Sequence, residues 1–157
     1  MDGGTLTDAS GLTITSPAVL TGSGTIAANI AASTGTITAT GGTLEVTGTV
    51  TTATLLRVGS VSGDTLKLDG TSTATTVTFL GSAGTLEINT AGTLTVTNAM
   101  STVGANTIKL DAAGVRLTDA NGLMLAGGTI SGLGTLAANT NVTAPAPSAY
   151  RFRTPAR

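Results

Sequence analysis

The sequence predicts an all-β fold: a parallel β-solenoid, read as a right-handed β-helix. Each coil is expected to hold three short strands in about 18–22 residues, with about six to seven coils in all. Three observations carry this expectation. A Gly-rich dipeptide followed by Thr-Leu or Thr-Ile recurs at near-constant spacing along the chain. Apolar and polar residues alternate with period two inside each recurrence, which is the pattern of a strand with one face buried. The 157 residues include 22 Gly but only 2% aromatics, so any core must be built from small aliphatic side chains stacked in layers.

The repeat heads lie at Thr43, Thr65, Thr85, Thr107 and Thr129, giving steps of 22, 20, 22 and 22 residues. Towards the N-terminus, GSGTI places a head at Thr25 and GGTL one at Thr5, with steps of 18 and 20. The similarity of GSGTIAAN from Gly22 to GLGTLAAN from Gly132 offers a competing register, in which Thr25 corresponds to Thr135. After each head comes a second apolar stretch: ATLLRV from Ala53, TTVTFL from Thr75, GTLTVT from Gly92 and GVRLTD from Gly114. A third, shorter stretch is expected at VGSVSGD from Val58, MSTVGAN from Met100 and GLMLAGG from Gly122. Gly, Ser, Ala and Asn between the stretches serve as corners. No window carries an amphipathic helix with start and stop signals, because Gly and Thr interrupt all of them.

Stacking the heads yields columns. Leu44, Leu66, Leu86, Ile108 and Ile130 form an internal core ladder, with Val46, Leu68, Ile88 and Leu110 beside it. Each buried aliphatic side chain contributes about 1.5–3 kcal/mol, so these columns supply much of the driving force. Between them and facing out, Glu45, Lys67, Glu87 and Lys109 alternate in sign. Opposite charges on neighbouring strands add about 0.2–1 kcal/mol per pair, whereas like charges destabilise, so this column is read as a structural charge ladder that sets coil register. A catalytic groove of acids and bases would instead gather its charges in one cleft. Asp69, Asn89 and Asp111 form a further column, and Asp64 and Asn106 sit at corners; turn formation is the expected role, since no calcium-binding nonapeptide repeat is present.

Composition closes off several function classes. The chain has no Cys and no His, which removes disulfides, thiol nucleophiles, Cys/His zinc sites and His-based triads. A net charge of −1 gives no electrostatic footing for nucleic acid or an anionic membrane. No apolar run is long enough for a spanning helix, and the first residues have neither a basic nor an apolar signal region. Pieces such as GSGT and GGT lack the Lys and the helix of a phosphate-binding loop, and Asn141-Val-Thr is a glycosylation sequon in form only. Neither cofactor nor metal is expected, and no residue is assigned a catalytic role. The domain division is 1–143 for the solenoid and 144–157 for a Pro/Arg-containing tail, expected to be a disordered linker.

The phrases LTGSGTIAANI, TGTITATGGTLEVTG, VTFLGSAGTLEI and TISGLGTLAANTNVTA resemble the Gly/Thr-rich repeats of secreted bacterial surface proteins. Those are of the autotransporter-passenger and filamentous-haemagglutinin-like adhesin type. The resemblance spans roughly Gly3 to Ala144 and implies a non-catalytic structural or adhesive stalk, located outside the cell or at the bacterial surface. It implies as partners a host surface or glycan, or neighbouring solenoid segments of a longer chain, of which this sequence would be a fragment. Two alternatives stand beside it. One is a binding module that uses a flat Thr-rich face for ice or glycan, suggested by Thr36-Ile-Thr38-Ala-Thr40 and Thr93-Leu-Thr95-Val-Thr97. On the second stretch these pairs are expected to fall out of line, interrupted by ATLLRV and GVRLTD. The other alternative is a polysaccharide-active β-helix enzyme.

Overall fold

The computed structural model describes residues 1–32 and 34–142. The segment 144–157 lies outside the described residues. Among the described residues there is no helix, and all strand pairing is parallel. The chain winds through about seven coils as a β-solenoid, each coil laying strands on three faces. At about 4.8 Å per coil the stack is roughly 30 Å long.

The first face carries seven stacked strands. They are β1 (Gly4–Thr7), the end of β3 (Val19–Ala27), the end of β5 (Thr36–Val46), β7 (Thr65–Leu68), β9 (Thr85–Ile88), the end of β11 (Met100–Leu110) and the end of β12 (Arg116–Gly132). The second face holds β2 (Leu12–Thr13), β4 (Ile30–Ala31), the starts of β6 (Val50–Val58) and β8 (Thr71–Phe79), β10 (Thr93–Val96), the start of β12 and the start of β13 (Thr135–Val142). On the third face, β3 and β5 begin, β6 and β8 end, and β11, mid-β12 and the end of β13 follow. Several strands therefore bend through a corner without breaking.

Register on the first face is continuous. Leu44 pairs with Leu66, Leu66 with Leu86, Leu86 with Ile108 and Ile108 with Ile130. Leu44, Leu66, Leu86 and Ile108 are fully buried, as are Val46, Leu68 and Ile88 in the adjoining column. The second face adds Leu94 stacked on Leu117, and the third adds Ile37, Leu56 and Val77 in a column. One continuous aliphatic core results, and the largest fully buried side chains among the described residues are Ile, Leu and Met. Ile130, on the last first-face strand, is only partly buried.

Four expectations about register need correction. Thr25 pairs with Glu45 and Thr5 with Thr25, so both N-terminal steps are 20 residues and Thr25 does not align with Thr43. The cause is a corner of unequal length: Gly22 faces Ala39 and Gly24 faces Leu44, so Ser23 alone spans what Thr40–Thr43 spans in the next coil. Thr135 pairs with Arg116 on the second face, so GSGTIAAN and GLGTLAAN occupy different faces. The four second stretches do not share one place either. ATLLRV and TTVTFL pair with each other on the third face, through Leu56 and Val77, while GTLTVT and GVRLTD pair on the second, through Leu94 and Leu117. The third stretches agree only in part: Met100 pairs with Leu123, but Val58 closes a strand opposite Phe79 and residues 59–63 form the following turn. Period two marks a strand but carries no label for which of three faces it occupies.

Burial depth along the first-face column leads to a graded expectation. Leu66→Ala, enclosed by Leu44 and Leu86, should cost about 2–5 kcal/mol. Ile130→Ala, with one side uncovered among the described residues, should cost less than half as much. Urea denaturation followed by circular dichroism measures both; equal costs would contradict the depth of the column.

Candidate functional site

Both described lysines, Lys67 and Lys109, lie on the first face beside acidic side chains. The central outward column of this face runs Thr5, Thr25, Glu45, Lys67, Glu87, Lys109, Ser131, each residue paired in register with the next. Period-two alternation places these side chains outward because the residues on either side, such as Leu44 and Val46, are taken into the core. Thr43, Thr65, Thr85, Thr107 and Thr129 form the neighbouring outward column, and Asp69, Asn89 and Asp111 follow on the other side, each donating its backbone N–H to the preceding coil.

The charges are not evenly shared along the column. Lys67 Nζ is hydrogen-bonded to Glu45 Oε1 on the preceding coil and lies 3.9 Å from Asp69 Oδ1. Lys109 Nζ repeats the arrangement, 3.4 Å from Glu87 Oε2 on the preceding coil and 2.9 Å from Asp111 Oδ2. Lys67 and Glu87 also pair across the ladder, yet no ion pair joins them. Thr25 Oγ1 adds a 3.4 Å hydrogen bond to Glu45 Oε2.

Electrostatics follow this geometry. The hydrogen bond from Lys67 holds the Glu45 carboxyl below its ordinary value, and the same bond raises Lys67. Lys109 is raised first by its hydrogen bond to Asp111 and then by Glu87. Asp69 goes the other way: burial raises it, against the attraction of Lys67, with the nearby Glu45 carboxylate adding to the rise. Its Oδ1 is buried with no hydrogen-bond partner, and Lys67 at 3.9 Å is beyond hydrogen-bonding reach, so desolvation wins.

The corner before each head carries a second alternation: Gly42, Asp64, Gly84, Asn106, Gly128. Asp64 and Asn106 are buried although polar. Asp64 Oδ1 accepts hydrogen bonds from the backbone N–H of Gly41 at 2.8 Å and Gly42 at 3.3 Å, and Oδ2 accepts from Val61 N–H at 3.1 Å. Asn106 Oδ1 accepts from Gly84 N–H at 3.0 Å, and its Nδ2 donates to the Gly81 carbonyl at 2.9 Å. Both side chains therefore reach one coil back and satisfy the backbone of a glycine corner. Glycine is needed there, because a Cβ on Gly84 would stand 2.6 Å from the Gly59 carbonyl and one on Gly128 2.5 Å from that of Asn106.

Sequence reasoning missed Asp119. It occupies an inward-facing position at a second-face corner, with Oδ2 accepting from Met100 N–H at 2.9 Å and Oδ1 from Asn121 and Gly122 N–H at 3.1 and 3.0 Å. The Asp-x-Asn-Gly turn pattern was the available signal. The Thr arrays also need revision. Thr36 and Thr38 lie on the third face, Thr93 and Thr95 on the second. On that second face Thr71 and Thr73 stand in register with Thr93 and Thr95, so two coils do line up; Arg116 and Thr118 come next, and a bulge at 51–52 ends the array on the other side. ATLLRV plays no part in breaking it, because its paired segment lies on the third face.

Among the described residues no group of three or more Asp or Glu side chains is placed to hold a metal ion. The acids of the first face lie beside lysines, an arrangement suited to mutual neutralisation along a ladder. No family model, curated protein or solved structure matches the chain.

Two outcomes are expected. A group raised in the folded state contributes stability that is lost as pH rises through its folded value. Lys67 and Lys109 are both raised from 10.5, so the melting temperature should fall as pH climbs above about 10.5. On the acid side Glu45 is lowered and Asp69 raised, so the contributions of these two groups to the pH dependence oppose one another. Lys67→Met with Lys109→Met should flatten the alkaline response. Separately, Asp64→Ala orphans three backbone N–H groups and should cost at least about 2 kcal/mol, whereas Asp64→Asn, which keeps an acceptor oxygen, should cost less. Denaturant titration of the two variants distinguishes them.

Proposed function

We propose that this chain acts as a non-catalytic structural or adhesive rod within a secreted bacterial surface protein. The observation that carries the reading is the pairing of the first-face charges. Lys67 with Glu45 and Lys109 with Glu87 tie successive coils together, so the charged groups a catalytic cleft would need are engaged in stacking. Stacked coils of nearly constant length extend a chain in one direction without a large central core, which is the mechanical requirement of a stalk. The Gly/Thr-rich composition adds the association with surface-exposed bacterial repeats. Exposed positions of such a rod can bear adhesive contacts to host glycans, or contact neighbouring solenoid segments.

A second reading is favoured by one feature, the registered Thr71, Thr73, Thr93 and Thr95 on the second face. A flat hydroxyl array of this kind suits a repetitive hydrogen-bonding partner, either a surface glycan or ice.

The purified chain decides between these readings. The rod reading expects no turnover of pectin, alginate or related polymers, and no thermal hysteresis. On intact bacteria producing the protein, antibodies against the solenoid should label the outer surface. Turnover that Glu87→Gln abolishes would overturn the non-catalytic reading. Thermal hysteresis, or glycan-array binding lost in Thr93→Lys, would establish the second.

A further inference from the structure

The two alternations of the first face are in phase, and their side-chain bonds point the same way. Coils beginning Gly-Thr-Leu-Glu (Gly42 and Gly84) alternate with coils beginning Asx-Thr-Leu/Ile-Lys (Asp64 and Asn106). Gly42 to Gly84, Glu45 to Glu87, Asp64 to Asn106, Lys67 to Lys109 and Asp69 to Asp111 are all separated by 42 residues. Each Lys-type coil reaches back to the Glu-type coil before it through two independent contacts. Asp64 binds the N–H groups of Gly41 and Gly42 while Lys67 binds Glu45. Asn106 binds the N–H of Gly84 while Lys109 binds Glu87.

The step from Lys67 to Glu87 has neither contact. There the first face is held by backbone ladder bonds, including Thr85 N–H to the Asp64 carbonyl and Asn89 N–H to the Leu68 carbonyl, and by the core. Elsewhere a hydrogen bond from Asn98 Nδ2 to Thr76 Oγ1 crosses this step at an exposed position.

We propose that the register unit of this solenoid is a pair of coils, about 42 residues long and opening at its glycine corner (Gly41–Gly42 for one pair, Gly81–Gly84 for the next), rather than the single coil. A Glu-type coil supplies a glycine corner and a carboxylate; the next coil supplies the Asx that satisfies that corner and the lysine that neutralises that carboxylate. A Lys-type coil cannot replace a Glu-type coil, since the residue at the glycine corner would then bear a side chain. At Gly84 even a Cβ would meet the Gly59 carbonyl. A coil stacked out of phase sets like charges side by side and leaves buried Asx groups without donors. The rod is thus expected to lengthen or shorten in pairs of coils, and a segment that continues it must present the right coil type at the junction.

Deletion tests this directly. A chain lacking residues 65–84 loses one coil, stacking Glu87 on Glu45 and setting Asn106 over Asp64 in place of Gly84. A chain lacking 65–106 loses two coils but stacks Lys109 on Glu45 and keeps Asp64 over Gly41 and Gly42. The chain with the larger deletion should melt at the higher temperature, and Glu87→Lys should recover part of the loss in the smaller one. If melting temperature instead tracks the amount of core removed, with the 65–106 deletion the less stable, the proposal fails. Should neither deletion fold, double-mutant cycles in the intact chain decide. Lys67→Met with Glu45→Gln should lower the melting temperature by less than the sum of the single changes, whereas Lys67→Met with Glu87→Gln should be closer to additive, because Glu87 acts on Lys67 without bonding it. Equal coupling in both cycles would show that the single coil is the unit.

Discussion

Parallel in-register stacking is the constraint on which the rest of this structure depends. When each coil lies about 4.8 Å from the next, every side chain has its own counterpart as nearest neighbour. Any residue type is therefore tested against itself, or against whatever the repeat places one period away. Aliphatic residues pass the test easily: Leu44, Leu66, Leu86 and Ile108 build a fully buried column, and Phe79 packs against the core only from a partly buried position. Charges and bulky corner residues do not, because repeating the same one in every coil would stack like charges or collide with backbone.

The chain resolves both conflicts by alternating. Lysine follows glutamate on the outside, and Asp or Asn follows glycine at the corner. These share a common geometry, since in each case the later coil reaches back to the earlier one. The lysine–glutamate and Asx–glycine contacts thus join coils two by two, while the aliphatic columns and the backbone ladder run through the whole stack. Asp69 shows the cost of this economy: its Oδ1 is buried beside Lys67, which is already engaged by Glu45, and burial raises its affinity for a proton.

In this division of labour the cohesive elements lie along the solenoid axis. The polar side chains on the first face act on neighbouring coils more than on solvent. Among the described residues, surfaces open to a partner include the second face, where short Thr rows stand in register, and exposed apolar residues such as Val61, Leu80 and Leu133.

The sequence by itself determined the fold class, the central five heads from Thr43 to Thr129, and which residues of each head turn inward. Those features rest on period two and on a constant repeat length, both local properties that a single chain displays. Only the tertiary structure decided which face each remaining strand joins, where Thr25 falls, and which lysine bonds which glutamate. ATLLRV and GTLTVT look equivalent as strings yet lie on different faces, because face is set by the lengths of corners accumulated around a coil. Likewise the alternating column from Glu45 to Lys109 reads as a uniform ladder in sequence. Its division into pairs depends on the direction each lysine side chain takes, and that is fixed by which acids and corners stand within reach once the coils are stacked.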